Sequence, residues 1–101
     1  MTKPSQMNKG DMFLYIPNYE GGTPEVYIKV ETTKVQGREA TIFVKNSALV
    51  RHLTSNYELA PYDNWAIGDT YYETMVKQGA FRPIDSIDEA NEICPDFRVD
   101  F

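Results

Sequence analysis

The chain has little of what thiol enzymes, zinc proteins and membrane-spanning proteins require. A single cysteine, Cys94, in 101 residues excludes an internal disulfide. Cys94 precedes Pro95 in an acidic half of the chain that offers no cationic setting to activate a thiol. A single histidine, His52, leaves no zinc-ligand spacing, and the acidic residues lack the Asp-x-Asp-x-Asp-Gly order of a calcium loop. Gly21-Gly22 is not followed by Gly-Lys-Ser/Thr, so it is no phosphate loop. No apolar run approaches the roughly 20 residues of a spanning helix. The opening MTKPSQMNKG carries charge without the apolar stretch of a signal peptide. These scarcities predict a soluble, cytoplasmic, non-enzymatic chain with no metal and no cofactor. Acid–base work by paired carboxylates is the one catalytic option left standing.

Positive charge is the other scarcity, and it is local. Residues 1–52 carry seven basic and five acidic residues, a balance of +2. Residues 53–101 carry only Lys77, Arg82 and Arg98 against ten acidic residues, a balance of −7. The net charge of −5 therefore conceals an acidic half, which disfavours phosphate backbones and favours a cationic partner.

A length of 101 residues with 42% hydrophobic content suits one domain with a modest core. Residues 1–10 are polar and predict a loosely held tail before a domain spanning 11–101. Met12 to Ile16, ended by Pro17, reads as a buried strand. Val26, Ile28 and Val30 alternate with polar neighbours, as do Ala40, Ile42 and Val44, which predicts two antiparallel strands. A three-residue loop at Val35-Gln36-Gly37 closes Lys34 on Arg38. It pairs Val30 with Ile42 and Ile28 with Val44, so apolar residues share a face. Asn46 to Leu53 reads as a helical turn capped by Ser47, and Tyr57 to Tyr62 as an edge strand ending the sheet at residue 62. Within a helical region over 69–95, a Thr70/Glu73 capping box predicts a helix to Gln78. Ser86/Glu89 predicts another from Ile87 to Cys94, with Ile87, Ala90 and Ile93 inward. Phe97 to Phe101 alternates like a terminal strand, whose free edge would support a homodimer.

Strands followed by helices imply an α+β domain: a small, bent antiparallel sheet followed by two short acidic helices. The Lys9-Gly10-Asp11 opening and the long hairpin, over Lys9 to Lys45, look like SH3-like or related small barrels.

Three surfaces are candidates for function. The hairpin register aligns Tyr27 with Lys45 and Lys29 with Phe43, a basic-aromatic combination that nucleic-acid-binding sheets use, though ordinary half-buried sheets use it too. Tyr62, Asp63, Trp65 and Tyr71 interleave aromatic rings with acids, as anchors of protein interfaces do, while Trp65 also suits a core. Asp85, Asp88, Glu89 and Glu92, continued by Asp96 and Asp100, form an acidic array. Such an array can imitate a phosphate backbone or simply be a solvated helix face. The leading expectation is a protein-binding module or inhibitor that engages a basic partner through its acidic, aromatic-rich half. In its sharper form the partner is a nucleic-acid-binding enzyme or transcription factor. Small acidic chains without a visible active site resemble, in general character, the host-takeover and anti-defence proteins of bacteriophages. The alternative is a nucleic-acid-binding module using the hairpin face.

Overall fold

A computed structural model describes residues 2–93. Five strands, β1 (Met12–Tyr15), β2 (Glu25–Val35), β3 (Arg38–Lys45), β4 (Asn64–Ile67) and β5 (Phe81–Ile84), form one antiparallel sheet in the order β4-β3-β2-β1-β5. The sheet curls into a half-barrel, and three helices accompany it: α1 (Asn46–Ser55), α2 (Asp69–Lys77) and α3 (Ile87–Ile93). The small α+β architecture is as expected. β4 and β5 remain separate edges of the sheet, and the arrangement does not establish the SH3-like type.

Both sheet faces are covered, which is why β1 reads as an unbroken apolar run rather than an alternation. Met12, Leu14, Val26, Ile28, Val44 and Ile84 point to one face, where Leu49 of α1 and Ala90 of α3 complete the core. Phe13, Tyr27, Phe43, Ile67 and Phe81 point to the other, under Tyr72 of α2. Phe13 is the hub of this aromatic layer, with ring centroids 4.4 Å from Phe81, 4.8 Å from Phe43 and 5.5 Å from both Tyr27 and Tyr72.

The inner register of the hairpin is the expected one: Tyr27 opposes Lys45, Ile28 opposes Val44 and Lys29 opposes Phe43. Its turn is not. Val35 pairs with Arg38 around a two-residue turn with positive φ at Gln36 (53°) and Gly37 (79°), the primed geometry that matches strand twist. A bulge between Lys29 and Glu31 absorbs the extra residue, so Ile42 faces Glu31 instead of Val30. The outer register gains a Lys34–Glu39 pair and a Thr32–Thr41 hydroxyl contact at 3.0 Å.

Several other expectations are corrected. Residues 57–62 form no strand: the buried Asp63 carboxylate accepts the Tyr57 hydroxyl and the Ala60 N–H, both at 2.8 Å, and folds Pro61–Asp63 into a 3-10 turn. The edge strand is β4 instead, and β5, unexpected because it contains Pro83, closes the opposite edge, where a missing N–H is tolerated. The sheet therefore extends well past residue 62. α1 runs two residues past the expected end at Leu53, to Ser55, and its N-terminus is served by the Glu25 carboxylate, which accepts the Ser47 N–H at 2.9 Å, not by the Ser47 side chain.

α2 starts from Gly68, placing Thr70 inside the helix rather than at its cap. Its end is as the sequence suggests: Gly79 takes φ +79°, and the Gly79 and Ala80 N–H groups bond the Val76 and Met75 carbonyls. In α3, Ser86 Oγ accepts the Glu89 N–H at 3.1 Å, Ala90 is buried and Ile93 packs on the core, but Ile87 is 54% exposed rather than inward. Cys94 and the expected strand Phe97 to Phe101 lie outside the described residues.

The N-terminal segment, expected to be loose, is bonded to the sheet. The Lys29 ammonium, in a residue only 5% exposed, donates to the Pro4 carbonyl at 2.8 Å and the Met7 carbonyl at 2.5 Å. Ser5 donates its N–H and hydroxyl to the Asp69 carboxylate at 3.0 and 2.6 Å. The bulged β2 thus carries a buried cation whose charge is met by backbone oxygens. No helix among the described residues is long and apolar enough to cross a membrane.

Candidate functional site

The basic-aromatic face has its expected pairing but lies inside the protein. Tyr27, Lys29 and Phe43 are buried beneath α2 and the N-terminal segment, and only Lys45 is half-exposed. Burial, reinforced by Glu25 and by the neighbouring Tyr15, Tyr19 and Asp63, pushes the Tyr27 phenol up to about 12. Bases cannot stack on these rings without displacing α2.

The aromatic candidates divide between surface and scaffold. Tyr62 is 77% exposed and Tyr71 45%. Trp65 is half-buried, packed edge-on against Tyr15, Tyr27 and Phe81 at 5.2 to 5.4 Å, with Tyr71 at 6.3 Å. Asp63 is a structural carboxylate. Hydrogen bonding with Tyr62 and Asp63 raises the Tyr57 phenol above its ordinary range.

In the acidic array, Asp85, Asp88 and Glu92 are exposed, while the half-buried Glu89 forms a salt bridge with Arg82 of β5. Asp96 and Asp100 lie outside the described residues. α3 packs on the Met12 and Leu14 face of the sheet, whereas Trp65 belongs to the aromatic layer under α2. The acids and aromatics proposed as one surface therefore sit over opposite faces. Among the described residues, no group of three or more His, Cys, Asp or Glu side chains could hold a metal.

Sequence reasoning missed a concave part of the surface at the end of the β1–β5 ladder. Two adjoining recesses, of about 590 and 460 Å³, share Asp11, Met12, Ile84 and Asp85. Met12 and Ile84 are the last pair of the β1–β5 ladder, so Asp11 and Asp85 are the next residues on the two strands. Asp11 accepts the Asn8 N–H at 2.9 Å; Asp85 has no hydrogen-bond or ion-pair partner among the described residues. Nearby, the Tyr72 hydroxyl is buried without a hydrogen-bond partner. Desolvation first, and then the charge of Asp85, push this phenol up to about 12. An unmet buried hydroxyl costs about 1–3 kcal/mol. Recognising β5 as a strand was the only route to this site from sequence, and its proline argued against it.

No protein-family model, curated protein or solved structure matches the chain.

Proposed function

We propose that this chain is a non-enzymatic binding protein that engages a basic protein partner through its acidic end and acts by occupancy. The observation that carries this reading is the group Asp85, Asp88 and Glu92, exposed on β5–α3 around the exposed Ile87, with Arg82 already engaged by Glu89. Carboxylates ringing a small apolar contact suit a cationic surface: the charges steer encounter and set register while the side chain excludes water. In the sharper form the partner is a nucleic-acid-processing enzyme or transcription factor whose groove the acids occupy, as an anti-defence or host-takeover protein of a bacteriophage would do. Tyr62 and Tyr71, on another part of the molecule, are not required by this surface. The hairpin-face alternative is not advanced, because three of its four residues are interior.

Affinity capture from whole-cell lysate, with and without nuclease, tests this function. A stoichiometric basic protein retained after nuclease supports it. Recovery of nucleic acid with no stable protein partner refutes it.

A further inference from the structure

From the two recesses at the end of the β1–β5 ladder, we infer that this groove receives an arginine side chain of the basic partner, clasped between Asp11 and Asp85. The inference rests on the proposed engagement of a basic partner and assigns it a specific pocket. Three observations converge. First, a carboxylate from each strand borders both recesses, one residue past the final Met12–Ile84 pair. Two carboxylates on the walls of one recess favour a cationic occupant over a neutral or anionic one. Second, the walls between the carboxylates are apolar: Met7, Met12, Val76 and Ile84 line the larger recess and suit a methylene stem. Third, the exposed Asp85 carboxylate has no hydrogen-bond or ion-pair partner among the described residues and is open to a cationic group.

The charge balance favours a cation, since Lys9 borders only the smaller recess. A guanidinium fits better than an ammonium. Its planar fork can donate to two carboxylates on different walls at once, whereas an ammonium is a compact point charge.

The test uses the intact protein and three blocked tripeptides, N-acetyl-glycyl-X-glycinamide with X as arginine, lysine or citrulline, followed by amide shifts in NMR. The arginine peptide is expected to give saturable shifts at Asp11, Met12, Ile84 and Asp85, the lysine peptide to bind several-fold more weakly, and the uncharged citrulline peptide to give none. Asp85→Asn, at an exposed position, is expected to fold and to lose about tenfold in arginine affinity. Asp11→Asn provides an independent second variant. Equal binding by citrulline or lysine overturns the clasp. Shifts confined to Asp88 and Glu92 overturn the groove assignment while leaving the basic-partner reading intact. Saturable groove binding, together with a captured partner indifferent to charge reversal on α3, supports the groove and removes α3 from the interface.

Discussion

Lys29→Met is the perturbation that most directly probes how the N-terminal segment is held. Methionine keeps the length and apolar character of the stem but removes an ammonium that donates to the Pro4 and Met7 carbonyls. Each hydrogen bond from a charged donor contributes about 1.5–3 kcal/mol. Against the two bonds stands the desolvation of a buried ammonium, an effective cost of several kcal/mol in a protein interior. The Pro4 carbonyl keeps a second partner in the Met7 N–H at 3.2 Å, so the Met7 carbonyl bears most of the loss. Detachment of the segment returns that oxygen to water and caps the penalty. The net expectation is a loss of about 2 kcal/mol, or a fall of roughly 10 °C in Tm for a domain of this size. The sharper signature is local. Native-state hydrogen exchange should lose protection at Gln6 and Met7, whose N–H groups bond Lys3 and Pro4, while β2 and β3 amides keep theirs. Because Met7 also lines the large recess, arginine-peptide affinity should fall with it. Unchanged exchange at Gln6 and Met7 in a folded Lys29→Met protein would refute the reasoning, since the segment would then be held without the cation.

Two further perturbations test the core and its polar flaw. Phe13→Ala, at the centre of the aromatic layer, should cost about 3–5 kcal/mol in urea unfolding; a loss under about 1.5 kcal/mol would mean that the surrounding rings collapse into the gap. Tyr72→Phe removes the unpartnered hydroxyl and should be neutral to stabilising, by up to about 1 kcal/mol at neutral pH. The alkaline limb has a definite sign. Tyr27 and Tyr72 are raised from 10.0 to about 12, so the unfolded chain releases these protons first. Their contribution is complete below pH 10 and is lost as pH climbs to about 12. Urea midpoints at about pH 8 and about pH 11 should therefore fall less in Tyr72→Phe than in wild type, and an equal fall would contradict the assigned shift.

How far the sequence was legible depended on the range of the forces involved. The pairing of Ile28 with Val44 followed from keeping apolar residues on one face. The Gln36-Gly37 turn did not, because a glutamine in the left-handed region carries no strong turn signal and the compensating bulge at Val30 depends on both strands together. The stops of α2 at Gly79 and the Ser86 cap of α3 were readable from local chemistry. β5 was hidden by Pro83, which is acceptable only at an edge that a linear reading cannot locate. The exposure of Asp85, Asp88 and Glu92 agreed with their charge. Burial of Lys29 and Phe43 did not follow from their types, because it is imposed by α2 and by residues 4–7 arriving from distant parts of the chain. The groove between Asp11 and Asp85 was invisible for the same reason: 74 residues separate its two walls.

Equilibrium binding of the nuclease-resistant partner to wild type and to Asp88→Lys/Glu92→Lys, across a salt series, tests the central claim most directly. The account predicts retention of the fold, a loss of about tenfold or more in affinity, and a weaker salt dependence in the variant. Equal affinity and an equal salt slope for the two proteins would contradict it.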